Sequence, residues 1–470
     1  MSTRFQFRLA LFGGVLVCAA FAAAEDNSQS LDRKFQSAVA QYDSGHFAEA
    51  AAKLEELVPY APNSFEIQEL LGLVYASQSQ DSKALNHLEA AVRLKPDSAT
   101  ARTNYAACLS HSGKQALAGE QFKKALELAP GDYDANHNLG EYYIQAGQIT
   151  EAQPLLERAH EINPSSYDNG YDLAMAYFQT GQTREARQLI EQVVLIKNTG
   201  ELHDLRGEIE EKDGHYVAAV NEFEAAAHLD PSEDNLFDWG SELLLHRTYE
   251  PAIDVFQQAV QRFPNSPRII IGLGMALYSR GKYDDAVKAL IRAADLNPAD
   301  SRCYLFLSKA YDSSPGQAED VIGRFRRYAE LKPGNALAQY YYAMSLWKGK
   351  RTANANVDPE VIKSLLQKAV DLDDSLADAH VQLGNLYADQ HDYEKSIPQY
   401  LRALQLSPNL ADAHYRLAQD YVHVGQKDRA QTEFDLYQRF RAEHMAEVDK
   451  ERAEVRQFVY SEKSTASSKP

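Results

Sequence analysis

The chain has 470 residues, 44% of them hydrophobic and 24% charged, and carries a formal net charge of −19. That composition is ordinary for a soluble folded protein, while the negative balance repels phosphate backbones and anionic headgroups and weighs against nucleic-acid binding. Its three cysteines form no CxxC pair and no Cys/His cluster, which argues against a disulfide framework and a thiolate metal site.

In chain order, Arg4 and Arg8 precede the apolar run LALFGGVLVCAAFAA, and Ala22-Ala23-Ala24 before Glu25 supplies the small residues of a signal-peptidase site. The run is short for a membrane span, and polar EDNSQS follows at once. Residues 1–24 are therefore expected to be a signal peptide, with a retained N-terminal anchor as the alternative. The mature chain is expected to be periplasmic or secreted, without stable membrane insertion. Cys18 follows Val17, not the Gly, Ala or Ser of a lipoprotein signal. Loss of Arg4 and Arg8 takes the charge from −19 to about −21. Residues 25–30 read as a short linker.

From residue 31 to 439 a period takes over. Prolines recur at 62, 96, 130 and 164, then at 231, 264, 298, 333 and 408, with early gaps of 34 residues and later ones of 33, 34 and 35. Alanines keep the same beat at 50, 84, 118, 152, 186, 219, 252 and 286, and again at 91, 125, 159, 226, 259, 293, 369 and 403. Self-similarity at a fixed period signals stacked supersecondary units. Within 267–300, Leu273, Leu277 and Tyr278 fall at helical spacing before Arg280-Gly281-Lys282 breaks the run. Ala286, Leu290 and Ala293 make a second apolar stripe, closed by Leu296-Asn297-Pro298. Small residues at Gly274 and Ala286 let the two helices cross closely. Each pair buries its second apolar face only by stacking on a neighbour. The expected fold is all-α.

The pattern LG-x₂-Y, G-x-Y-x₂-A, A-x₄-P resembles the tetratricopeptide repeat. It is carried by Gly72/Tyr75/Ala84/Ala91/Pro96, by Gly140/Tyr143/Gly147/Ala152/Ala159/Pro164 and by Gly384/Tyr387/Tyr393/Ala403/Pro408. About twelve units start near 31, 65, 99, 133, 167, 200, 233, 267, 301, 336, 377 and 411. The resemblance implies helix-turn-helix repeats stacked into a right-handed superhelical solenoid, with the first helices lining a concave groove that binds partners. Three departures stand out. The unit at 167 ends LIKNTG without a closing proline; the unit at 301 has Ser314-Pro315 in its turn and Val321 in place of alanine; the unit at 336 carries an insertion near 348–359, expected to be an exposed loop. The last helix is expected to continue as a C-terminal capping helix over 440–460, followed by a disordered tail at 461–470.

Chemistry is sparse. There is no HExxH, P-loop or GxSxG, and Gly272-x-Gly274 is not completed to GxGxxG. His203, His380 and His414 occupy the fourth position of their units, where the family packs a large side chain. His137 and Glu141, four residues apart on one helix face, have the spacing of a metal or acid/base site. No cofactor and no metal is expected. Cys108 and Cys303 lie about six units apart and are expected to be reduced or buried.

The groove residues remain. Asn104, Asn138 and Asp172 are spaced by 34 residues and, with Asp238, form a partial polar row. The row is similar to the asparagine ladder of the O-linked N-acetylglucosamine transferase repeats, which grips extended peptides, because amides both donate and accept. Thr103, His137 and Tyr171 flank it. Further along, Phe237, Met275, Tyr340 and Tyr341, with Ile271, Tyr278, Leu305, Phe306 and Trp347, make an aromatic-rich segment suited to anchoring a partner. Asn385 and Arg416 are too isolated in sequence for the carboxylate clamp of chaperone-binding relatives. The reading is an exported, non-catalytic scaffold that holds an extended peptide or partner helix, neutral or basic. The alternatives are an accessory component of an envelope or polysaccharide-export assembly, and an enzyme centred on His137 and Glu141.

Overall fold

The computed structural model describes residues 22–313, 317–352 and 358–443, and every regular element among them is an α-helix. The chain divides into two compact units, 1–231 and 232–470. The first holds α1 (Ala22–Asp43), α2 (Phe47–Glu55), α3 (Phe65–Ser77), α4 (Asp81–Leu94), α5 (Ala99–His111) and α6 (Gln115–Leu128). It continues with α7 (Tyr133–Gln145), α8 (Ile149–Ile162), α9 (Tyr167–Gln179), α10 (Thr183–Ile196), α11 (Gly200–Lys212) and α12 (Tyr216–Leu229). The second holds α13 (Glu233–Leu245), α14 (Tyr249–Arg262), α15 (Pro267–Arg280), α16 (Tyr283–Leu296), α17 (Ser301–Ser313) and α18 (Ala318–Leu331). After them come α19 (Ala336–Thr352), α20 (Pro359–Leu372), α21 (Ala377–Asp389), α22 (Tyr393–Leu406), α23 (Ala411–His423) and α24 (427–443).

Local chemistry sets the boundaries. The prolines stand just after the second helices, where a chain without a free N–H ends the run. A Ser, Thr or Asp two residues on, or nearly so, caps the next helix: Ser64, Ser98, Asp132, Ser166, Thr199, Ser232 and Ser266 each accept from the backbone N–H three residues ahead. Inside most described hairpins the chain reverses through a left-handed residue, such as Gly147 at φ 72° or Gly281 at φ 85°. Ser79, Arg247 and His391 hold the same place with φ of 57°, 60° and 61°.

The two helices of a hairpin meet on the small residues. All eight alanines of the series from Ala50 to Ala286 are fully buried. Gly274 has no room for a side chain, since a Cβ there would lie 2.6 Å from Leu290 Cγ; at Gly140 it would lie 2.7 Å from Leu156 Cδ2. Between hairpins, the fourth residue of a first helix reaches back to the preceding turn. Gln68 donates to the Pro62 carbonyl at 2.9 Å, Asn136 to Pro130 at 3.0 Å, Tyr304 to Pro298 at 3.0 Å and His414 to Pro408 at 2.9 Å. Each bond satisfies a turn carbonyl that apolar packing would strand.

The expectations need amendment at several places. Residues 25–30 lie inside α1 and are not a linker. α19 runs on to Thr352, so residues 348–352 of the expected loop are helical, while 353–357 lie outside the described residues. Residues 1–21 of the expected signal peptide, Ser314-Pro315, the capping segment from 444 and the tail also lie outside them. α10, which lacks a closing proline, packs more thinly on α11 than α8 does on α9. The hairpin at 301 is the most altered: α17 and α18 barely touch, though α17 packs closely on α16 and α18 on α19. There Ser308 stands where Gly274 sits one repeat earlier, and Val321 replaces the crossing alanine. Among the described residues no helix is long and apolar enough to cross a membrane.

Candidate functional site

Within each unit the first helices of successive hairpins touch: α3, α5, α7, α9 and α11 in one unit, and α13, α15, α17 and α19 in the other. Residues at matching positions therefore line up across helices. In the first unit this face is stitched by polar side chains. Asn104 on α5 donates to Glu69 on α3 at 3.3 Å, and His137 Nδ1 on α7 meets Asn169 Oδ1 on α9 at 3.2 Å. Burial pushes the Glu69 carboxyl up to about 7, with the Asn104 bond pulling the other way.

The expected polar row is not uniform. Asn104 and Asn138 are 3% and 4% exposed, whereas Asp172 and Tyr171 are partly exposed. Asn138 donates one of its two amide hydrogens to the Asp134 carbonyl of its own helix at 2.7 Å. Tyr171 stacks on Tyr167 at 6.4 Å, and His137 on Tyr133 at 5.4 Å. Glu141 accepts from Gln145 at 3.2 Å. No group of three or more His, Cys, Asp or Glu suited to a metal occurs among the described residues.

In the second unit the expected aromatic segment splits into two environments. Phe237 packs edge-on against Phe256 at 6.1 Å, and the Arg268 guanidinium lies 3.8 Å above its ring. Arg268 also pairs with Asp238 at 3.5 Å, so that end of the row is held by a cation. Met275 is partly buried on α15. Tyr340 and Tyr341 instead line a cavity of about 220 Å³ together with Leu305, Tyr311, Phe325, Leu337 and Met344. Burial, with Asp378 and Asp312 nearby, drives the Tyr340 phenol well above its ordinary range. Tyr311, Phe325 and Asp378 were not legible as site residues; the signal was the departure of this hairpin from the repeat, at Ser308 and Val321, where α17 and α18 barely touch.

A second cavity, about 730 Å³, brings together Asn385 and Arg416, which are far apart in sequence, with Trp347, Gln382 and Asp389. Asn385 is already used: it accepts from the Tyr400 hydroxyl at 2.7 Å and donates to Gln382 at 3.1 Å. The fourth-position histidines are structural. His380 is bonded to Gln399 at 2.7 Å and to the Asp374 carbonyl at 3.1 Å, His414 to Glu433 at 2.5 Å, and His203 to Glu222 at 2.6 Å. Cys108 and Cys303 are both free and buried, and burial pushes each thiol up to about 12.

A chain built from stacked helical hairpins, with its polar and aromatic side chains aligned along the first helices, belongs to the class of helical-repeat scaffolds. Family models described as tetratricopeptide repeat match residues 35–85, 82–133, 122–153, 143–209 and 243–310, and one described as TPR repeat matches 384–425. The protein belongs to the tetratricopeptide repeat family, whose members bind protein or peptide partners. It is 26% identical over 187 residues to the TPR repeat-containing protein YpiA of Bacillus subtilis (strain 168), covering 40% of this chain and 42% of that one. It is 25% identical over 227 residues to the protein O-mannosyl-transferase TMTC1 of Homo sapiens, covering 48% of this chain and 24% of that one. The chain thus spans less than half the length of either curated relative. Among solved structures, the C-terminal part of a TPR repeat-containing protein from Cytophaga hutchinsonii shares 17% identity at a TM-score of 0.42, covering 59% of this chain and 98% of that one.

Proposed function

We propose that this protein is an exported, non-catalytic scaffold that takes an extended, neutral or basic segment of a protein partner along the face of its first helices. The observation that carries this reading is the side-by-side packing of those helices, which aligns acidic, amide and aromatic side chains at matching positions. In the first unit Tyr171 and Asp172 are the more exposed members of the row and the first expected to touch a partner. The acidic balance of the chain favours basic segments by simple attraction. Export rests on Arg4, Arg8, the apolar run and the small residues before Glu25. No reaction is assigned to His137 and Glu141, whose described bonds run to Asn169 and Gln145.

A peptide array probed with the purified protein tests the binding reading. Tyr171→Ala with Asp172→Ala should weaken retained peptides by about tenfold or more, the scale of losing an interface anchor, with the helical circular dichroism unchanged. Retention of no peptide, or wild-type retention by the double variant, overturns it. Fractionation of a bacterial host with mass measurement tests export: the periplasmic species should lack the first 24 residues, and a purely cytoplasmic full-length species would refute it.

A further inference from the structure

The cavity lined by α17, α18, α19 and α21 sits at the hairpin whose two helices barely touch. In an ordinary hairpin the crossing glycine or alanine brings the two helices into contact and leaves no space. Here, where Ser308 and Val321 stand at the crossing, α17 barely touches α18, and a space of about 220 Å³ lies among α17, α18 and α19. Its floor is aromatic and closed: Tyr311, Phe325 and Tyr341 are 2%, 1% and 8% exposed. Its mouth is apolar and open, with Leu305 at 39% and Leu337 at 42% exposed. Size decides what fits. The volume exceeds the roughly 150 Å³ that accommodates benzene in an engineered protein cavity and falls short of the roughly 300 Å³ at which drug-sized ligand pockets begin. One aromatic side chain fills it.

The rim adds charge. Lys309 and Asp312 of α17 and Asp378 of α21 border the cavity. Lys309 lies over the Phe306 ring at 5.9 Å. Lys348 pairs with Asp312 at 3.3 Å, so Asp378 is the rim carboxylate without an ion pair among the described residues, and it offers a partner to a cation beside the entering ring.

We propose that this cavity is an anchor pocket for a protein segment carrying an aromatic residue next to a lysine or arginine. The ring enters between Leu305 and Leu337 and lies on Phe325 and Tyr341, and the neighbouring cation rests against Asp378. The proposal rests on the binding reading above and gives it a sequence preference. It is tested on the pocket alone, so its failure leaves the peptide-array result standing.

The probe is N-acetyl-Phe-Arg-amide, titrated against the full chain labelled with ¹³C at the methionine methyls, with Met344 assigned through Met344→Leu. The Met344 methyl should shift and saturate in the millimolar range, as one side chain on its own binds weakly. N-acetyl-Ala-Arg-amide should leave it in place, and N-acetyl-Phe-Glu-amide should bind several-fold more weakly than the Phe-Arg probe. Leu305→Trp, and separately Leu337→Trp, should each plug the mouth and abolish the shift while the remaining methionine signals stay at their wild-type positions. Equal shifts with the Ala probe, or no shift with the Phe-Arg probe, overturn the pocket, as does a wild-type response from both tryptophan variants. Equal binding of the Phe-Arg and Phe-Glu probes overturns the basic neighbour.

Discussion

Gly274 and Gly323 are both helical glycines of the second unit, yet replacing each with alanine should move stability in opposite directions. Alanine in a helix interior is favoured over glycine by about 1 kcal/mol, and that gain is common to both sites. At Gly323 a Cβ meets nothing within 4 Å, so the gain should appear in full. At Gly274 the Cβ would stand 2.6 Å from Leu290 Cγ and 2.8 Å from Cδ2, far inside the roughly 3.5–4.0 Å of a relaxed carbon contact. Leu290 is fully buried and cannot turn into water, so α15 and α16 must part. Overpacking of this kind costs about 1–3 kcal/mol. Because the propensity terms cancel, the two variants should differ by that amount, with Gly274→Ala the less stable. Stability in a repeat stack is local, so native-state hydrogen exchange of α15–α16 and α18 amides is the assay. In a Leu290→Ala background the clash disappears, and Gly274→Ala should become stabilising. Slower exchange of α15–α16 in the single variant would refute close crossing as the reason for glycine there.

Further outcomes follow from the same physics. Ser79→Gly relieves a left-handed residue at φ 57° and should raise local stability by about 0.5–1 kcal/mol; slower exchange in α3–α4 is the readout, and faster exchange would contradict it. Glu69 is held at about 7 in the fold against about 4.3 in an unfolded chain, so the native state keeps the proton longer. Its contribution is full below about pH 4.3 and is lost as pH rises through 7. Urea midpoints for Glu69→Gln should therefore match wild type at pH 4 and exceed it at pH 8. Peptides containing Cys108 and Cys303 should stay unmodified by iodoacetamide at pH 8 in the native protein and react after denaturation, because both thiols are buried and held far above their ordinary titration range.

The repeat and its helix boundaries were legible from residue types alone. Proline, the Ser or Asp cap and the turn glycine act over a few residues, and they place the starts of α3, α5, α7 and α9 at Phe65, Ala99, Tyr133 and Tyr167. The small-residue crossing was legible too, because Gly274 and Leu290 keep a constant separation inside one hairpin. What a side chain does between hairpins was not. Asn138 turns to its own backbone while Asn104 bonds Glu69, although both hold the same place in the period. That choice depends on which neighbour offers an acceptor, and the neighbour lies one repeat away. Asn385 and Arg416 looked isolated because they are 31 residues apart, yet they border one cavity. Sequence by itself determined the family, the hairpins and their order, since those follow from short-range rules repeated along the chain. Only the tertiary structure decided that α17 and α18 barely touch and that an aromatic pocket lies beside them, because a void exists only where helices that could have met are held apart.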